Sequence, residues 1–235
     1  RYPDPTHDTI IEPFAGSAGY AVRHAERKVI LVEDDPRVAG VWRFLLRARP
    51  AEIVALPDLE EGQICNDLVR LPEEARWLIG FWLNRGCQVP VQRPGKWMRE
   101  GLWPTSFWGP YIRERIASQL EFIRHWRLIE GDYSLAPDIR ATHFVDPPYT
   151  GAGRHYKNGT QRLDFQALAR WCRARRGQTI VCEAEGATWL PFRPFLHAKA
   201  NRNYRHRAVE RAISKEAIWV SPQCATLRLK GRRAG

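Results

Sequence analysis

Two short stretches carry residue types that could do chemistry together. The first, Ile10 to Tyr20, reads Ile-Ile-Glu-Pro-Phe-Ala-Gly-Ser-Ala-Gly-Tyr, a buried strand running into a tight glycine turn that opens a helix. Gly16 and Gly19 suit positive φ or close approach of the backbone to a ligand, and a helix start offers unpaired N–H groups. Such a turn can cradle a nucleoside-bearing cofactor. The second, Phe144-Val145-Asp146-Pro147-Pro148-Tyr149, is a strand end that carries a carboxylate, a rigid Pro-Pro turn and an aromatic face. Each alone has an ordinary reading, a plain strand-to-helix connection or a plain strand-to-loop turn. Together they outline one site.

The elements that must position them follow from the apolar patterning. A strand is expected over residues 9–14 and a helix over 17–27. A continuous apolar run, Val29 to Val32, follows and suits a strand buried on both faces of a parallel sheet. That run ends in acid. In doubly wound folds an acidic side chain about twenty residues past the glycine turn reaches a ribose diol, which makes Glu33 the first candidate and Asp34 the second. Asp35 and Pro36 instead read as a helix cap followed by proline at the first helical position. The next helix runs through Val41, Trp42, Leu45 and Leu46, and the strand-helix rhythm stops at Arg49-Pro50.

Ala75, Leu78, Ile79, Trp82 and Leu83 make a helical stripe after Pro72. Residues 86–110 have no clean period and mix Arg93, Lys96, Trp97 and Arg99 with Trp103, Phe107 and Trp108. This mixture suits a phosphodiester backbone and stacked or wedged bases, or else a satellite aromatic core with solvated arginines. A helix is expected over 110–126. The rhythm returns near Leu128, with Gly131-Asp132-Tyr133 leading to the Phe144 strand. A loop at 150–159 carries Arg154 and Lys157 and could fold over a substrate. A helix over 164–176 and strands at 178–182, 195–200 and 217–221 complete an α/β unit. Arg202 and Arg205 lie in a basic stretch that reads as a backbone clamp or as solvated charge.

The chain has 235 residues and a formal net charge of +11, which favours an anionic partner, nucleic acid being the commonest. Cys65, Cys87, Cys172, Cys182 and Cys224 show no paired or zinc-ligand spacing, so reduced thiols, a cytoplasmic setting and no metal are expected. No apolar run is long enough to cross a bilayer, and no membrane association is expected.

The motifs Glu12-Pro13-Phe14-Ala15-Gly16-Ser17-Ala18-Gly19 and Asp146-Pro147-Pro148-Tyr149, in that order and far apart, resemble the S-adenosylmethionine-dependent DNA adenine-N6 methyltransferases. The likeness is to the alpha group, DNA adenine methylase-like proteins of phage and prophage type, and extends over residues 8–222. It implies an α/β fold with a Rossmann-like class I methyltransferase sheet and a small, mainly helical inserted target-recognition subdomain. Residues 1–50 and 128–225 would form the discontinuous catalytic domain, 51–127 the insertion and 226–235 a basic tail. S-adenosyl-L-methionine would be the cofactor, held by Glu12, Pro13, Phe14, Ala15, Gly16, Ser17, Gly19, Glu33 and Asp34. By the same resemblance Asp132 reaches the cofactor's adenine amine and Tyr133 lies beside that ring. An N-terminal aromatic-glycine-serine-lysine motif of the family has no match before Thr9, so it either precedes Arg1 or is lacking.

The chemistry of the tetrad agrees. An exocyclic adenine amine is a poor nucleophile, because its lone pair is conjugated into the ring. Acceptors that hold both N–H hydrogens draw the nitrogen toward tetrahedral geometry. Asp146 can supply one and the Pro147 carbonyl the other, Pro148 stiffens the turn, and Tyr149 can stack on a base flipped out of the duplex. Double-stranded DNA is therefore the expected partner, contacted by Arg93, Lys96, Trp97, Arg99, Arg154, Lys157, Arg202 and Arg205. The alternatives are an RNA methyltransferase acting on guanine-N2 or adenine-N6, a cytosine-N4 enzyme, and a catalytically silent DNA-binding module. Cytosine-C5 chemistry is excluded, since no cysteine follows a proline. His155, His197 and His206 are weaker rivals for a general base, because the amine can lose its proton to solvent.

Overall fold

The computed structural model describes residues 1–84, 88–101, 103–150, 163–199 and 213–222. The chain divides into two compact units, Arg1–Glu33 with Gly131–Gly235, and Asp34–Glu130. Its described strands are β1 (Thr9–Glu12), β2 (Lys28–Glu33), β3 (Arg127–Glu130), β4 (Ala141–Val145), β5 (Gly177–Ala184), β6 (Arg193–Lys199) and β7 (Ile213–Val220). Its helices are α1 (Pro36–Leu45), α2 (Pro50–Val54), α3 (Glu73–Trp82), α4 (Lys96–Arg99), α5 (Pro110–Ala117), α6 (Leu120–Ile123) and α7 (Phe165–Ala174).

In the first unit the strands lie in the order β2-β1-β4-β5-β7-β6. The first four are parallel, with Ile10 opposite both Val29 and Thr142, and Phe144 opposite Ile180. β7 runs antiparallel to β5 and to β6. Parallel strands are covered on both faces, which is why β2 reads as an unbroken apolar run and β4 is buried along its whole length, Thr142 and His143 included. Asp164 starts α7 by accepting the Gln166 and Ala167 N–H groups, and the stripe Leu168, Ala169 and Cys172 packs on Val145, Val181, Leu190 and Trp219. The result is the α/β, Rossmann-like sheet expected from the sequence. His143, in the middle of β4, is buried, and burial pushes its imidazole down to about 4.

The segment after β1 differs from expectation. Residues 17–27 do not form a long helix; only a 3-10 turn at Ala21–His24 is present. Gly16 has φ +46°, as anticipated, but the second left-handed position is Ala18, at φ 49°, and not Gly19. A second glycine placed early in a turn does not by itself mark where the backbone reverses.

The second unit holds β3 and α1 to α6. Asp35 caps α1 by accepting the Arg37 N–H at 2.9 Å, with Pro36 in the first turn, as read from the sequence. At the other end of α1 the Arg124 guanidinium donates to the carbonyls of Leu45, Leu46 and Ala48, satisfying groups the helix leaves open. At Gly40 an added Cβ would come within 2.5 Å of the Trp77 ring, so the close approach of α1 and α3 depends on that glycine. The expected helix over 110–126 is two helices, α5 and α6, broken at Ser118 and Gln119.

Burial divides the aromatic-basic stretch. Phe107 and Trp108 are buried, and the Trp108 indole donates to the Pro57 carbonyl at 2.8 Å. Trp103 is exposed, with its ring edge-on to Trp97 at 5.5 Å.

Candidate active site

The ends of β1, β2 and β4 bring the first unit's candidate residues together. After β1 the chain turns at Pro13 and Phe14, the Ala15 N–H donates to the Val32 carbonyl at 3.1 Å, and the Gly16 N–H donates to the Glu33 carboxylate at 2.8 Å. A Cβ on Gly16 would meet nothing within 4 Å, so the turn faces open space beside an acid. One Glu33 oxygen is therefore already tied to the turn that a ribose would approach. The Gly131 N–H donates to the Glu33 carbonyl at 2.9 Å, which fixes the start of the Asp132-Tyr133 turn at the same place. Asp132 caps that turn by accepting the Ser134 N–H at 2.7 Å, and Tyr133 stacks on Phe14 with ring centres 5.5 Å apart. Ser17 and Gly19 are exposed in this turn, and Asp34 opens the second unit.

Glu12 points inward. It is buried at the end of β1, and its carboxylate accepts the Ala21 N–H at 2.5 Å and the Tyr20 N–H. Burial pushes it up to about 8, with the Asp146 charge adding to the rise, and its hydrogen bonds hold residues 20 and 21.

The tetrad follows β4 directly. Asp146 is exposed at the end of β4, and neighbouring groups crowd its carboxyl. That setting pushes it up to about 6. The Tyr149 hydroxyl opposes the rise by donating a hydrogen bond, and the charges of Glu216 and Glu183 add to it. Pro147 is buried, while Pro148 and Tyr149 are half-buried. Burial and the Asp146 charge hold the Tyr149 hydroxyl protonated, as the donor that this bond requires.

Three further residues reach this site without having been singled out in the sequence. Tyr2 donates to Glu216 at 3.2 Å, and its ring stacks on Phe195 and meets Phe144 edge-on. It is brought there by residues 3–6: the Thr6 N–H donates to Thr142 and Gln178, Gln178 donates to the Asp4 carbonyl, and Tyr20 donates to the Pro3 carbonyl. Glu183 is wholly buried on β5. Its carboxylate accepts the Thr150 N–H at 3.1 Å, the Ala184 N–H at 2.8 Å and the Trp189 indole at 2.9 Å. The one available signal was an acid closing the apolar strand Ile180-Val181-Cys182.

The second unit holds the basic candidates in local bonds. Lys96 pairs with Glu100 at 3.5 Å, Arg99 donates to the Pro94 carbonyl, and Arg93 donates to the Gly62 carbonyl at 3.4 Å. Such exposed pairs are worth about 0–1 kcal/mol, little enough to be exchanged for a phosphate. Arg154, Lys157, Arg202 and Arg205, the loop over 150–159 and the tail 226–235 lie outside the described residues. Among the described residues, no cluster of three His, Cys, Asp or Glu could hold a metal ion, and no helix is long and apolar enough to cross a membrane.

No known protein-family profile matches the chain, and no curated protein does. Among solved structures it is similar to the glycopeptide N-methyltransferase MtfA complexed with S-adenosyl-L-methionine. That match has 12% identity and a TM-score of 0.33, over 97% of this chain and 76% of that one. A second structure of MtfA matches at the same identity and TM-score, over 98% of this chain and 72% of that one. The strand order shows the α/β fold without these matches.

Proposed function

We propose that the chain is an S-adenosylmethionine-dependent methyltransferase that modifies the N6 amine of an adenine flipped out of DNA. The observation that carries the reading is the meeting of two strand ends. The glycine turn after β1, closed by Glu33, stands next to the end of β4, where Asp146 accepts the hydrogen bond of Tyr149. S-adenosylmethionine, when bound, supplies an electrophilic methyl group. The chain's own residues do the rest: Glu33 takes the ribose hydroxyls, Phe14 and Tyr133 offer apolar ring faces, and Asp146 with the Pro147 carbonyl accepts the two amine hydrogens. The ionised form of Asp146 is the better acceptor, so turnover falls as the pH drops below about 6. Lys96, Arg99, Arg93 and the exposed Trp103 supply charge and a stacking surface for the nucleic acid.

Labelled S-adenosylmethionine incubated with unmethylated duplex DNA and with total RNA, followed by nucleoside mass spectrometry, tests this directly. N6-methyladenine in the DNA is the expected product. Methylated guanine or adenine in RNA alone would overturn the substrate, and transfer to neither would overturn the activity.

A further inference from the structure

Of the acids around Asp146, Glu183 is the one whose whole hydrogen-bonding capacity is spent on holding backbone and an indole in place. It is fully buried, and the Thr150 N–H reaches both of its oxygens, at 3.1 and 3.3 Å. Trp189 and the Ala184 N–H occupy one oxygen each, at 2.9 and 2.8 Å. Thr150 is the residue immediately after the tetrad, so this carboxylate ties the far end of the Asp146–Tyr149 turn to β5. The near end is already fixed by the pairing of Val145 with Val181. A turn anchored at both ends has little freedom left, and the Pro-Pro pair removes more. An unpartnered carboxylate at this depth would be costly, and the three donors are what make it tolerable.

We propose that Glu183 is a positioning residue for the Asp146–Tyr149 turn, acting through the Thr150 backbone and not by contact with substrate. The inference rests on the tetrad being the reacting centre, as argued above. Two consequences separate this role from mere support of the fold. The turn carries the acceptors for a reacting amine, so a displacement of about 1 Å costs turnover far more than it costs cofactor binding. Glu183 is also a charge that Asp146 senses. The other titratable groups around Asp146 are Tyr149, Tyr2, Cys182, Glu216 and Glu12, so replacing Glu183 removes one negative charge from this set.

The test uses Glu183→Gln and Glu183→Ala in the full chain, read in three ways. These are the Asp146 titration followed by carboxyl NMR, exchange of the Thr150 amide hydrogen, and kcat against KM for S-adenosylmethionine. The proposal expects the Asp146 midpoint to move to lower pH in both variants. It also expects Thr150 exchange to accelerate by about tenfold or more in Glu183→Ala, where the acceptor is gone. In that variant kcat should fall about 10- to 100-fold while KM for the cofactor stays within about twofold. A folded Glu183→Ala with an unmoved Asp146 midpoint, a protected Thr150 amide and full turnover overturns it. Should the alanine variant fail to fold, Glu183→Gln decides on the Asp146 midpoint and turnover. Should the wild type transfer no methyl group to DNA, the proposed function fails, while the titration and the amide exchange still decide the role of Glu183.

Discussion

The two units put their charges to opposite uses. In the first, the acids near the strand ends are held by fixed donors. Glu12 and Glu183 are buried and bonded to backbone N–H groups, Glu33 grips a glycine turn, and Asp146 is crowded enough to titrate near 6. In the second, cations are half-buried or exposed and bonded to carbonyls or to surface acids, as Arg124 is to the end of α1 and Lys96 to Glu100. A buried acid with fixed donors is rigid and hard to replace. An exposed base with a weak partner is free to exchange it. The first unit thus holds its charges in fixed geometry, and the second leaves its charges free to change partner.

Substitutions that respect this division should separate rate from affinity. The largest effect is expected from Asp146→Ala, which should lower methyl transfer by about 10³-fold or more while calorimetry finds cofactor binding within about twofold. A parallel loss of binding would move Asp146 out of the reacting centre. Glu12 offers a test by pH. Its folded-state pKa is raised to about 8, so its contribution to stability is fully present below the ordinary glutamate range and is lost as pH rises through about 8. Denaturant unfolding across that window should show stability falling, and Glu12→Gln should flatten the fall. His143 acts on the other side: held down to about 4, it costs stability as pH drops below the ordinary imidazole value of 6.5.

Ala18→Val comes next. Ala18 is fully buried at φ 49°, where a β-branched residue is both strained and too large, so a loss of about 3 kcal/mol is expected by urea unfolding. The mildest change is the double replacement of Lys96 and Arg99 by alanine. It should weaken DNA binding about tenfold and reduce the salt slope by about 2, with unfolding stability shifted by less than about 0.5 kcal/mol. An unchanged slope would break the contrast between the units.

The sheet was legible because burial on both faces writes itself as unbroken runs such as Val29 to Val32, and the cap at Asp35-Pro36 because capping is local chemistry. The turn after β1 was only half legible. Gly16 was anticipated, whereas the left-handed Ala18 was not, since nothing in its residue type announces a positive φ. The helix over 17–27 failed for a related reason: Glu12, distant in sequence from a helix start, satisfies the Tyr20 and Ala21 N–H groups and holds a short turn there. Glu183, Glu216 and Tyr2 escaped notice because their meaning lies in pairings across the sheet, such as Ala184 opposite Glu216, that no single stretch of chain encodes. The aromatic-basic stretch defeated any single reading because burial divides it within a few residues, hiding Phe107 and exposing Trp103.

The pairing of Ile10 with Thr142 sets the timetable by which the protein is made. β1 and β2 leave the ribosome ahead of β4, and that neighbour is synthesised only after the whole of Asp34–Glu130 has emerged. During that interval the exposed apolar edge of β1 waits for its partner, and contacts so distant in sequence form slowly. The segment Asp34–Glu130, set between two neighbouring strands, therefore lengthens the period in which the nascent chain is open to misassociation.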